Sequence, residues 1–178
     1  GVRSLPRGQA PAEGEILTPW GLRREGIAIP ADIAFAARMG ELGQYSGKVA
    51  LATKILDLSY LWNVIRVQGG AYGAWMLSAR DGLAGCLSFR DPNAKASLEK
   101  YMGCGDFLRQ FCAGGPDLTG AIIGTVSDAS PLLSPRMRGQ VADQYYWGGL
   151  SYETRCQRRR ELLSATAEEL LTLAEPLD

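Results

Sequence analysis

The sequence predicts an α+β domain, a mostly antiparallel sheet with helices packed on one face. Three observations carry that reading. A helical pattern from Ser46 to Arg66 stops at Gly69-Gly70. Two strand-like runs then flank Asp81-Gly82, a hairpin signal that makes at least part of the sheet antiparallel. Beyond Asn93 the pattern is almost entirely helical.

Residues 1–24 are rich in Gly, Pro and Arg without a period and read as a linker or extended arm, leaving 25–178 as a single domain. Ile27/Ile29 and Ile33/Phe35 alternate with period two, which predicts short strands over 26–29 and 32–36. Pro30 separates them because it cannot donate to a ladder. Ser46 is the expected N-cap of the long helix, whose apolar set is Val49, Ala52, Leu56, Leu61, Trp62 and Ile65. Glycine just past a helix adopts positive φ cheaply, so Gly69-Gly70 is its stop. A strand over 71–79 follows, then a two-residue turn at Asp81-Gly82 and a return strand over 83–89. That register sets Met76 against Leu87 and Trp75 against Ser88. Both faces of the hairpin carry apolar groups, which predicts a place inside the sheet.

Pro92 is expected in the first turn of a second long helix, with Asp91 as its cap. The helix runs over 93–112, its apolar set being Leu98, Tyr101, Met102, Phe107, Leu108 and Phe111, with kinks expected at Gly103 and Gly105. Asp117 is expected to cap a short helix over 118–126, and further helices are expected near 136–148, 151–162 and 167–174.

Composition narrows the function. The chain has 178 residues and 46% apolar content, enough to hide roughly 70% of its unfolded surface. Its 19 basic residues balance 19 acidic ones. This argues against a domain built to hold nucleic acid or an anionic membrane. No apolar run is long enough to span a bilayer. The first residues have no apolar region of a secretory signal, which favours a cytoplasmic location, with an organelle as the alternative. Cys86, Cys104, Cys112 and Cys156 are widely spaced, with no C-x-x-C pair and no histidine, so buried reduced thiols are favoured over an all-thiolate zinc site.

The densest chemistry lies in Arg66-Val67-Gln68-Gly69-Gly70-Ala71-Tyr72-Gly73. Arg66 closes a helix, where a cation can satisfy the last carbonyls, and Tyr72 suits a half-buried strand. The alternative is that the glycines reverse the chain so that a permanent cation and a phenol project over one opening. Two such donors are what a tetrahedral acyl intermediate needs for its oxyanion. The basic run Arg155 to Arg160 reads as a solvated helix face paired with Glu153, Glu161 and Glu168, without the aromatic platform of a single-stranded nucleic-acid binder. Asp117 and Asp128 read as cap and turn residues.

Seven segments occur in an order that resembles the last domain of insulinase/pitrilysin-type zinc metallopeptidases, in the presequence-protease branch. They are Glu25-Gly26-Ile27 with Ile29-Pro30, Tyr60-Leu61-Trp62, Arg66 to Gly73, Ser88 to Asn93, Asp106-Phe107-Leu108, Ala121 to Thr125, and Arg158-Arg159-Arg160-Glu161. The resemblance implies a non-zinc domain of a zinc-dependent metalloendopeptidase that degrades peptides. In such enzymes an H-x-x-E-H motif in the first domain supplies the metal site and general base. It further implies that Arg66 and Tyr72 contact the substrate carbonyl and its oxyanion. The partners it implies are the N-terminal zinc-bearing domains of the same polypeptide and a peptide substrate. This chain has no histidine, so no zinc is expected on it, and alone it is expected to be inactive. An apolar face left open in the isolated domain would give it a means to dimerise. The rival expectation is an inert binding or scaffold module of the same fold.

Overall fold

The computed structural model describes residues 24–177. A compact body begins at Ala31. The strand expected over 26–29 is not formed: residues 24–29 are irregular and Ile27 is exposed. Alternation makes a strand only where a ladder partner exists, and no strand among the described residues offers them one.

The sheet has three strands in the order β1-β3-β2, both pairings antiparallel. These are β1 (Ala34–Glu41), β2 (Gly73–Ser78) and β3 (Leu83–Asp91). Only β3 is interior, so the hairpin expected to lie wholly inside the sheet has β2 at an edge. The expected register is also off by one. Trp75 faces Leu87 and Met76 faces Cys86, because the loop holds three residues, Arg80 to Gly82. Ala79 N–H donates to Leu83 O (2.7 Å) and Gly82 N–H to Ala79 O (3.2 Å), with Gly82 at φ 96. A three-residue loop with glycine in the left-handed position is the next most common hairpin solution after the two-residue turn. The extra residue changes every cross-strand partner.

The long helix is capped as expected: Ser46 Oγ accepts from Val49 N–H. Helix α1 (Gly47–Ile55) continues without a break into a π-helical stretch, Leu56–Val67. Bonding from residue i to i+5 widens the turn, so the buried residues here are Leu56, Leu61 and Ile65, and Trp62 is turned outward. The helix expected over 93–112, with kinks at Gly103 and Gly105, is two helices, α2 (Ala94–Tyr101) and α3 (Cys104–Ala113), broken at Gly103 but not at Gly105. The break at Met102-Gly103 resets the helical phase. Tyr101 and Leu108 are buried, Phe107 and Phe111 are partly buried, and Leu98 and Met102 face outward. The α2 cap is Asn93, whose Oδ1 accepts from Ala96 N–H (3.2 Å), rather than Asp91. Asp91 instead ends β3, buried, accepting from Ser88 Oγ and from Asn93 N–H. The remaining helices are α4 (Thr119–Ala129), α5 (Pro135–Trp147), α6 (Tyr152–Leu163) and α7 (Ala167–Leu171). Asp117 holds the start of α4 by accepting from Thr119 N–H, and Asp128 pairs with Lys54 at 2.9 Å.

The two faces of the sheet differ in side-chain size. Residues opposite one another in the register share a face. One face presents Ala36, Ala74, Ala84, Ser88, Cys86 and Met76, all buried in the core with Val49, Ile55, Leu56, Leu61 and Ile65 of the helical rod. Small side chains there let the rod lie close. The other face carries Phe35, Met39, Trp75, Leu77 and Leu83, exposed by 57%, 54%, 40%, 53% and 43%. Tyr101 closes the far side of the core, its hydroxyl donating to Ala36 O and pushed up to about 12 by burial. Cys86, Cys104 and Cys112 are buried free thiols, and Cys156 is half-buried. The Cys86 thiol is pushed up first by its hydrogen bond with Cys104 and then by burial.

Two measurements test this packing. At Gly47 a Cβ would sit 2.0 Å from Arg158 O and 2.5 Å from Leu162 N, where α1 starts against the backbone of α6. Gly47→Ala is expected to cost about 1–3 kcal/mol of stability in chemical denaturation, and an unchanged midpoint would refute that close approach. Asp57 Oδ1 accepts from Met76 N–H. Burial raises its carboxyl, outweighing the Met76 bond and Lys54, which lower it. A raised acid binds its proton more tightly when folded, so its favourable contribution is present at acid pH. That contribution is lost as pH rises from about 4 through the raised value. Asp57→Asn keeps the acceptor oxygen and removes the buried charge. It is therefore expected to raise the denaturation midpoint at neutral pH and leave it nearly unchanged near about pH 3–4; an equal effect at both pH values would rule out charge burial as the cause.

Candidate substrate-contact site

Arg66 and Tyr72 lie at the junction of the helical rod, the loop 68–72 and the end of β3. The rod closes with Gln68 N–H on Asn63 O, Gly70 N–H on Arg66 O and Ala71 N–H on Ile65 O. Gly70 sits at φ 78 and supplies the left-handed turn. Gly69 serves differently: a Cβ there would lie 2.5 Å from Ile65 O. The chain then enters the sheet edge through Tyr72 N–H, which bonds Phe89 O (3.1 Å) and reaches Arg90 O (3.4 Å).

The structure brings the two expected residues together. Arg66 Nε donates to the backbone carbonyl of Tyr72 at 3.0 Å, and its guanidinium lies 4.2 Å from the centre of the Trp62 ring. One edge of the guanidinium thus fixes the loop rather than the last carbonyls of the helix, while the stacked ring sets its plane. Tyr72 is 67% exposed. Its ring meets Phe89 edge-on at 5.9 Å, and Phe89 also contacts Phe35 (5.0 Å) and Trp75 (6.5 Å). The phenol therefore stands at the rim of the open apolar sheet face. Trp75 folds back over Gly73, where a Cβ would meet the indole at 2.5 Å.

Arg90 is a member of this cluster that the sequence reading passed over. Its guanidinium lies 5.9 Å from the Tyr72 ring centre and 5.7 Å from that of Phe89. Its backbone holds φ 48, a left-handed conformation that is uncommon for a residue with a side chain. Asp91, locked by Ser88 and Asn93, and the Tyr72 N–H on the Arg90 carbonyl hold that turn. The Ser88 to Asn93 segment was the sequence signal; the left-handed turn and the proximity to Tyr72 become visible only with the loop folded. Arg66, Tyr72 and Arg90 together offer guanidinium and phenol donors beside an apolar floor. That set can hold an electron-rich oxygen. Among the described residues no three His, Cys, Asp or Glu side chains come together to bind a metal ion, and the chain has no histidine.

A family model described as the PreP C-terminal domain matches residues 24–178. Among curated proteins, Protein HypA of Clostridium perfringens is 35% identical over 158 residues, covering 86% of this chain and 16% of that protein. Presequence protease 1, chloroplastic/mitochondrial, of Arabidopsis thaliana is 32% identical over 162 residues, or 88% of this chain and 15% of that protein. Presequence protease, mitochondrial, of Kluyveromyces lactis is 30% identical over 130 residues, or 72% of this chain and 13% of that protein. This chain therefore spans 13–16% of the length of these relatives. With the domain family matched from residue 24 to the C-terminus and an α+β fold to accompany it, the chain belongs to the presequence-protease family and corresponds to its C-terminal domain.

Proposed function

We propose that this chain is the non-zinc, C-terminal part of a zinc-dependent metalloendopeptidase that degrades peptides. In this reading the open sheet face walls the chamber, and Arg66 and Tyr72 contact the substrate carbonyl. One observation supports it above the rest: a phenol exposed by 67% and a stacked guanidinium stand together at the rim of an unpartnered apolar sheet face. An extended peptide can lay apolar side chains on Phe35, Trp75, Leu77 and Leu83 while its carbonyl reaches the polar rim. The Tyr72 hydroxyl and the guanidinium N–H groups left over from the Tyr72 carbonyl donate to the oxygen as negative charge builds on it. Zinc, held by residues outside this chain, would polarise the same carbonyl and activate water. Among the described residues no three His, Cys, Asp or Glu side chains come together for that metal, and in this reading the chain's part is binding and charge stabilisation. The arm expected over 1–24 lies, but for Arg24, outside the described residues; the partner domains of the same polypeptide and a peptide substrate belong to this same proposal.

The sequence favours a cytoplasmic location with an organelle as the alternative; the names of the plant and yeast relatives carry organelles and that of the bacterial relative carries none. No helix among the described residues is long and apolar enough to cross a membrane. In the isolated chain the open face is also available to a second copy, which sedimentation at rising concentration would reveal as a dimer.

A second reading, an inert scaffold of the same fold, draws on the bond that commits Arg66 Nε to the loop carbonyl. The two readings separate in the full-length protein. Tyr72→Phe removes one hydroxyl donor and is expected to lower kcat about 10²–10³-fold with little change in KM or melting temperature. Arg66→Lys keeps the charge but loses the planar fork, and is expected to lower kcat as well. Wild-type turnover in both variants would leave the scaffold reading standing.

A further inference from the structure

At the opposite end of the helical rod from Arg66 lies a cavity of about 570 Å³ between α1, α4 and α6. That volume falls within the ~300–1,000 Å³ range of small-molecule sites. The separation from Arg66 is the length of the rod, roughly 30 Å at the ordinary helical rise. Arg80, Arg155, Arg158 and Arg159 line it, and no carboxylate residue does. The pairing expected for this basic run does not form. Glu161 accepts from Gly47 N–H (2.9 Å) and from Gln157 Nε2 (3.1 Å). The Glu153 carboxylate is held below the usual range first by its own backbone N–H, then by Ser151 and by the nearby Arg155 charge, without forming an ion pair. No ion pair joins any of the four arginines to a carboxylate among the described residues.

Aromatic rings hold the guanidiniums instead. Arg155 lies 4.6 Å from the ring centre of Tyr145 and 5.5 Å from that of Tyr152. Arg158 lies 4.7 Å from Tyr45, and Arg80 lies 5.5 Å from Tyr145. The polar contacts of the set are Arg155 Nε on Ser151 O and Arg159 Nη2 on Ser130 Oγ. Stacking fixes the plane of a guanidinium and leaves its edge N–H groups unspent. Arginine cannot shed its proton, so the positive wall persists at every physiological pH until an anion neutralises it. Planar forks converging on one cavity match the oxygens of a phosphate, which accepts two parallel bonds from each fork.

We propose that this cavity binds a small phosphate-bearing polyanion, with a diphosphate group as the element recognised. The site stands independently of the peptidase reading, since it shares no residue with Arg66, Tyr72 or the open sheet face.

The test is calorimetric titration of the full-length protein at low salt with inorganic pyrophosphate and, separately, with ATP. Saturable one-to-one binding is expected. Equal affinities would mean that the phosphates alone are read, and tighter ATP binding that a base is read too; each supports the site. Charge-assisted bonds carry enough energy that Arg155→Gln with Arg158→Gln should weaken binding at least about tenfold. Arg80→Gln, on the exposed hairpin loop, gives a second variant if that pair fails to fold. An independent readout is alkylation of Cys156, which lines the cavity, followed by peptide mass spectrometry. Pyrophosphate should slow its labelling without affecting Cys86, Cys104 or Cys112. Absence of saturable binding, affinity indifferent to these substitutions, or unprotected Cys156 overturns the proposal. So does equally tight binding of a long single-stranded RNA, which marks an open basic surface.

Discussion

A single helical rod seated on small side chains organises this domain. Ala36, Ala74, Ala84 and Ser88 leave room for the rod to approach, and Leu56, Leu61 and Ile65 fill the space between. Close seating removes water from that face and positions both ends of the rod against the sheet and the helical layer. At one end Gly47 meets the α6 backbone. At the other, Arg66 and the loop that follows are delivered to the start of β2. Widening of the rod into a π-helix over Leu56–Val67 keeps residues five and four apart on the buried side and turns Trp62 out to stack on Arg66.

The same arrangement explains the unusual character of the opposite sheet face. With the small residues committed to the rod, the bulky apolar residues of the strands point the other way, where the described residues provide no cover. Exposed apolar area of this kind marks an interaction surface. The Arg66–Tyr72–Arg90 rim borders that face, so apolar contact and hydrogen-bond donation are adjacent. Donors matter most where water is excluded, because their interactions strengthen as the surrounding dielectric falls. A covering partner would therefore both stabilise the face and sharpen the chemistry at its rim.

The helical layer has its own polarity. Its arginines are held by tyrosines because the nearby carboxylates serve backbone groups: Glu161 holds the start of α1 and Glu153 the start of α6. With the acids in those structural uses, the arginines of the cavity wall form no ion pair with a carboxylate among the described residues. The domain thus carries a donor site on one side and a cationic cavity on the other, joined by one continuous helix.

Much of the fold is legible in local chemistry. Ser46, Asp117 and the glycines of the 66–73 segment act over a few residues, so their caps and stops follow from residue type. The α+β class, the hairpin and the helical C-terminal half follow from periodicity, and Arg66 and Tyr72 stand out by their setting around a glycine turn. What depended on contacts distant in sequence was decided by tertiary structure. The hairpin register turned on one loop residue, Arg80. The strand expected over 26–29 has no ladder partner among the described residues, and Arg155 and Arg158 meet the rings of Tyr145 and Tyr45 from elsewhere in the fold. Sequence by itself determined the fold class, most of the helix and strand segments and which residues can donate hydrogen bonds, because those properties are largely local. The tertiary structure alone decided which face stays open and which charges stay unpaired, because both depend on where neighbouring elements come to rest.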